Sequence, residues 1–192
     1  MRTSETLVVP TELGLLEVSP ETGAMRWINR TKAPRWPGIV DHLVYFASER
    51  EIFEVPLLGG AELWSQRLKD DKANPPWFRP KLGVAGNRIV YSHAGQLTAL
   101  DRVSKRRVWQ TECSELLNIG EEIVLARLEG GALAAFELAD GRMLWQVRDP
   151  NGFDSPVFSE GLVVVHAGFD AARAYDARTG VERWVLGLGP AQ

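Results

Sequence analysis

Five tryptophans, Trp27, Trp64, Trp109, Trp145 and Trp184, follow one another at intervals of 37, 45, 36 and 39 residues. A period near forty residues marks an array of one supersecondary unit, because each unit must bury its apolar face against a neighbour. Aligned on Trp, the five segments read LLEVSPETGAMRW, IFEVPLLGGAELW, LTALDRVSKRRVW, LAAFELADGRMLW and ARAYDARTGVERW. The position nine before Trp is always apolar: Val18, Val55, Leu100, Phe136 and Tyr175. Four before Trp stand Gly23, Gly60, Lys105, Gly141 and Gly180. Glycine at that point signals backbone with φ > 0 in a tight turn, so Lys105 is expected to be strained or to adopt a different turn. Each segment therefore reads as strand, polar turn and strand, with Trp on the second strand.

A further strand precedes each hairpin, at LVV (7–9), LVYF (43–46), IVY (89–91), IVL (123–125) and LVVV (162–165). These runs are too short for helices and are bounded by turn residues. GIV (38–40), LGV (82–84), LLNI (116–119) and PVF (156–158) supply one more strand in every unit but the first. Four short antiparallel strands per forty residues describe a propeller blade. The expected fold is an all-β propeller of four-stranded antiparallel blades forming a single domain over 1–192. Five blades are the economical count, closed by a C-terminal strand from Leu186–Gln192. Two chains completing a larger ring, or a piece of a longer propeller, are the alternatives.

The segment Ala174-Tyr175-Asp176-Ala177-Arg178-Thr179-Gly180-Val181-Glu182-Arg183-Trp184 resembles the propeller repeat named after the pyrroloquinoline quinone enzymes. Ala99-Leu100-Asp101, with Ser104 and Trp109, fits the same pattern, and the first two units fit it loosely, with Ser19 and Pro56 at the Asp position. The resemblance covers almost the whole chain and implies tryptophans packed between adjacent blades, each worth roughly 2–3 kcal/mol of burial. It says little about activity, since the family includes quinone-dependent dehydrogenases, an outer-membrane assembly lipoprotein and many non-catalytic modules. The dehydrogenases hold calcium through oxygen ligands and use a catalytic Asp and, in many, adjacent cysteines. This chain has one cysteine, Cys113, so no cofactor and no metal are expected.

The formal net charge is −3 with both signs interspersed, which argues against nucleic acid as a partner. No run approaches the twenty apolar residues of a membrane span. The lone cysteine and the absence of a cationic, apolar leader fit a reducing, cytoplasmic setting. Catalytic signatures such as GxSxG and HExxH are absent.

Binding is expected on loops. His93 and His166 occupy the same turn in the third and fifth units, and His42 the turn at the other end of a blade. Trp36 and Trp77 lie outside the repeat register. The longest connection, Ser65–Pro80, carries Trp77, Phe78 and Arg79, residue types enriched in binding hot spots. Trp36, Trp77, Phe78, Arg79, His93 and His166 are the candidate contact residues of a non-catalytic scaffold that binds a protein or an extended ligand. The chain would be a monomer, or a dimer if two copies complete a ring. The alternative is a small-molecule- or glycan-binding hydrolase at the channel mouth, needing paired carboxylates from among Glu112, Asp149 and Asp154.

Overall fold

The computed structural model describes residues 7–30, 34–48, 51–68, 80–149, 152–167 and 171–187. Among them are nineteen β-strands and a single 3₁₀ turn at Glu129–Gly131. The first sheet is β1 (Leu7–Thr11), β2 (Gly14–Val18) and β3 (Met25–Asn29). The second is β4 (Arg35–Val40), β5 (Leu43–Ser48), β6 (Glu51–Pro56) and β7 (Trp64–Arg67). The third is β8 (Lys81–Ala85), β9 (Arg88–His93), β10 (Gln96–Asp101) and β11 (Arg107–Glu112). The fourth is β12 (Glu115–Ile119), β13 (Ile123–Arg127), β14 (Leu133–Glu137) and β15 (Met143–Val147). The fifth is β16 (Phe153–Ser159), β17 (Leu162–Ala167), β18 (Ala171–Asp176) and β19 (Glu182–Gly187). Every sheet is a meander of consecutive strands, three in the first and four in each of the others. The strand content of each repeat is thus as the sequence indicates, including the shorter first unit. Leu186 and Gly187 belong to the fifth sheet itself, paired with Ala172 and Ala171; 188–192 lie outside the described residues.

The chain divides into two compact units, Met1–Val84 and Ala85–Gln192. In the first, Leu15 and Ile28 pack with Val44, Phe46, Phe53 and Val55, and the rings of Phe46 and Phe53 stack with centroids 5.0 Å apart. In the second, one cluster joins Val90, Ala99 and Trp109 to Val124, Ala134 and Phe136. Another joins Leu125, Ala135 and Trp145 to Val163, Val165 and Tyr175. Strand alternation explains both: one set of side chains faces the following sheet and the interleaved set faces the preceding one.

The turn before each Trp is built alike in four units. Gly23, Lys105, Gly141 and Gly180 have φ of 69°, 59°, 75° and 70°, and their N–H groups donate to the carbonyls of Ser19, Asp101, Glu137 and Asp176. The second unit departs, its turn carrying two left-handed glycines, Gly59 and Gly60. Glycine at the repeat position has a second reason that spacing did not reveal. A Cβ on Gly141 would lie 2.6 Å from the Trp109 ring, and one on Gly180 would lie 2.6 Å from Trp145. The indole of one sheet rests on the turn of the next, and its N–H donates into that turn: Trp109 Nε1 to the Leu138 carbonyl at 3.0 Å, Trp145 Nε1 to Ala177 at 2.8 Å.

Lys105 keeps the left-handed turn without glycine's freedom, so it carries strain of about 1–2 kcal/mol. Lys105→Gly should raise stability by about 0.5–1 kcal/mol, after allowance for the more flexible unfolded chain. A denaturant midpoint that stays put or falls would contradict this.

Tryptophan packing is not uniform across the repeats. Trp109 and Trp145 are each 8% exposed. In the third, fourth and fifth sheets a bulge falls on the residue just before Trp, so Trp pairs with Ala99, Ala135 or Ala174. In the first sheet the slip falls after Trp27, which pairs with Leu16. A slip of one residue exchanges faces. Ile28 therefore takes the core place facing the second sheet, and Trp27 turns to the other face, with the Arg30 guanidinium 5.0 Å from its ring. Trp184 is 42% exposed.

Candidate functional site

One concavity among the described residues lies in the first unit. It is an open groove of about 650 Å³, lined by Pro10, Thr11 and Glu12 at the end of β1 and by Pro34, Arg35, Trp36 and Pro37 at the start of β4. Its volume is within the range of ligand sites. Trp36 is placed there by a bulge. Arg35 pairs with Ala47 and Gly38 with Tyr45, so one extra residue is accommodated between them. The same irregularity recurs in β16, between Asp154 and Val157. In both strands the residue preceding a proline takes a positive φ, 54° at Trp36 and 46° at Ser155. Proline supplies no ladder donor and is tolerated at bulges. A large aromatic at positive φ is strained backbone, a condition that clusters at functional positions.

Trp36 is 47% exposed, and Lys81 Nζ stands 4.9 Å from its ring centroid. The groove thus offers an aromatic shelf, prolines that keep the walls rigid, two cationic side chains (Arg35 and Lys81) and one carboxylate (Glu12). Thr11 is committed to the turn at its end, its hydroxyl donating to the Gly14 carbonyl at 2.8 Å.

The other candidates do not gather around Trp36. Trp77, Phe78 and Arg79 lie outside the described residues. His93 ends β9, opposite Gln96, beside a two-residue turn of Ala94 and Gly95, both at positive φ. His166 is exposed near the end of β17, opposite Ala172. His42 shares the β4–β5 turn with Asp41, as its sequence position indicates, both at positive φ. Among the described residues no three His, Cys, Asp or Glu side chains are grouped to hold a metal ion. The carboxylates considered for hydrolysis are engaged separately: Asp149 pairs with Arg173 at 3.2 Å, and Asp154 accepts from the Ser155 N–H at 2.8 Å. Burial pushes the Cys113 thiol up to about 12, so it stays protonated and unreactive near neutral pH.

A family model described as outer membrane protein assembly factor BamB matches residues 49–192. The chain belongs to this family of PQQ-like repeat proteins. It is 32% identical over 187 residues to the serine/threonine-protein kinase AfsK of Streptomyces coelicolor, covering 91% of this chain and 22% of that protein. It is 28% identical over 110 residues to outer membrane protein assembly factor BamB of Yersinia pestis, covering 49% of this chain and 28% of that one. The chain thus spans about a fifth to about a quarter of these curated relatives. The crystal structure of BamB from Moraxella catarrhalis superposes with a TM-score of 0.70 at 19% identity, covering 95% of this chain and 61% of that one. The fold is all-β and BamB-like, of the propeller type.

The PQQ-like signature residues have structural work in this chain. The Asp176 carboxylate accepts from the N–H groups of Arg178 and Thr179 and from the Thr179 hydroxyl, and its other oxygen takes Arg183 at 2.7 Å. Asp101 does the same with Val103 and Ser104. Hydrogen bonding from Arg183 and Thr179 holds the Asp176 carboxyl well below the usual carboxylate range, and Ser104 lowers that of Asp101. These acids close turns. The sequence pointed to Trp36 but not to its neighbours at Pro10–Glu12 or to Lys81. The local signal was present in Pro34-Arg35-Trp36-Pro37, an aromatic and a cation held between prolines.

Proposed function

We propose that this chain is a protein-interaction module of the PQQ-like propeller family, its five sheets forming successive blades, which docks an extended, proline-containing acidic segment of a partner protein in the Trp36 groove. The observation that carries the reading is Trp36, held half-exposed by strained backbone beside prolines and cations. Extended proline-containing segments are pre-ordered and dock on aromatic-lined grooves at low entropic cost. Arg35 and Lys81 outnumber Glu12 at the rim, which favours an acidic segment over a basic one. The relatives lend support of a general kind, being named for the assembly of outer membrane proteins and for a protein kinase activity.

Selection from a random library of displayed twelve-residue peptides tests the reading. Acidic, proline-containing sequences should be enriched. Trp36→Ala should weaken their binding at least about tenfold, the loss of one aromatic hot spot, while circular dichroism stays unchanged. No enrichment, or equal binding by the variant, would sink it.

A further inference from the structure

Trp36 has a groove on one side and a cation on the other, and the two cations near it are not equivalent. The groove is walled by Pro10, Thr11 and Glu12 and by the start of β4, with Arg35 among its lining residues. Lys81 does not line it and reaches the ring from β8 instead. β4 and β8 lie side by side: a Cβ built on Gly38, two residues beyond Trp36, would stand 3.6 Å from the Val84 Cβ. The Lys81 ammonium is 4.9 Å from the Trp36 ring centroid, within cation–π range of the aromatic that binds cations best. Arg35 is exposed, and among the described residues its guanidinium has no hydrogen-bond or ion-pair partner.

The backbone does not by itself explain why the indole keeps its place. Trp36 has a φ of 54°, a conformation unfavourable to any residue with a Cβ. It also falls in the bulge between Arg35 and Gly38, outside the regular ladder. Its ring is 47% exposed, so packing alone holds it loosely. Attraction between the Lys81 charge and the π-face supplies the missing restraint and leaves the groove side of the ring for a ligand.

We propose that the two cations divide the work: Lys81 positions the Trp36 ring, and Arg35 reads the charge of the ligand by pairing with a carboxylate next to the group stacked on Trp36. This division rests on the docking of an acidic, proline-containing segment in the groove. Arginine suits the second task, because its planar fork can bond a carboxylate through two N–H groups at once. The lysine ammonium is a compact charge on a flexible stem, suited to capping a ring. Loss of Lys81 therefore loosens the shelf for every ligand, whereas loss of Arg35 removes the choice between ligands.

Fluorine NMR of the full chain labelled with 5-fluorotryptophan tests both roles. There are seven tryptophans, and the Trp36 signal is the one missing from Trp36→Phe. The ligands are synthetic peptides of alternating Pro-Glu and of alternating Pro-Gln, titrated at physiological salt. In the free protein, Lys81→Met should move the Trp36 signal toward its unfolded-chain position with circular dichroism unchanged, and Lys81→Arg should restore it. Lys81→Met should weaken both peptides by a similar factor, at least about threefold for a lost cation–π contact, and keep the preference for Pro-Glu. Arg35→Gln should bring that preference, about three- to tenfold in wild type for a partly solvated charge pair, down to about one, with the free Trp36 signal in place. A Trp36 signal that ignores Lys81→Met overturns the positioning role. Preference retained by Arg35→Gln, or erased by Lys81→Met, overturns the division. If neither peptide moves the Trp36 signal of wild type, the docking reading itself falls and the role of Arg35 with it, while the free-protein signal still decides that of Lys81.

Discussion

Trp145→Ala is expected to destabilise the Ala85–Gln192 unit by about 3–5 kcal/mol, the usual consequence of truncating a large buried aromatic. The ring is 8% exposed and packs with Leu125, Ala135, Val163 and Tyr175. It lies on Gly180, and its N–H satisfies the Ala177 carbonyl. Alanine would leave a void between two sheets and an unmet acceptor in a turn. Trp27→Ala is the control. Trp27 is only partly buried and its core place is held by Ile28, so about 1 kcal/mol is expected, as for an ordinary substitution. Urea unfolding followed by circular dichroism separates the two. Equal losses would mean that the tryptophans share one role and that the displaced bulge in the first sheet has no energetic consequence.

Gly141→Ala is expected to destabilise by about 2–4 kcal/mol, from two sources. One is the left-handed backbone, about 1–2 kcal/mol for a residue with a side chain. The other is overpacking of about 1–3 kcal/mol, because the new methyl would lie 2.6 Å from the Trp109 ring. A fused ring held by a hydrogen bond to Leu138 cannot bend aside as a lysine tip can. Gly23→Ala isolates the first source, since its φ of 69° is nearly that of Gly141 and its Cβ would meet nothing within 4 Å. The difference between the two variants, measured in the same urea titration, reports the indole contact alone. If Gly141→Ala is no worse than Gly23→Ala, the glycine is required only for its dihedral angle and the socket has no energetic reality.

The repeat was legible because strands write their pattern locally. Alternating apolar residues, a polar turn and a glycine four before Trp are properties of a dozen consecutive residues. They sufficed for nearly every strand, for the short first sheet and for the positive φ at the turn. The strain at Lys105 was legible for the same reason, since a β-carbon at a glycine position is a local conflict. The faces of the tryptophans were not. Trp27 and Trp145 sit at equivalent repeat positions, yet one bulge falls after Trp and the other before it. Nothing in LLEVSPETGAMRW announces that slip, because a bulge is settled by which neighbouring side chains can be buried together.

The candidate site divides along the same line. Trp36 stood out in the sequence as an aromatic outside the repeat register. Its partners Pro10 and Lys81 are 26 and 45 residues away and reach it only because β1 and the start of β8 fold beside the start of β4. The dual role of Gly141 and Gly180 has the same origin: the sequence alone determined that the backbone must be left-handed there, since dihedral preference belongs to one residue and its turn. That a tryptophan from the preceding repeat occupies the space where a side chain would stand was decided only in the tertiary structure, because close packing is a relation between segments whose separation along the chain does not encode their separation in space.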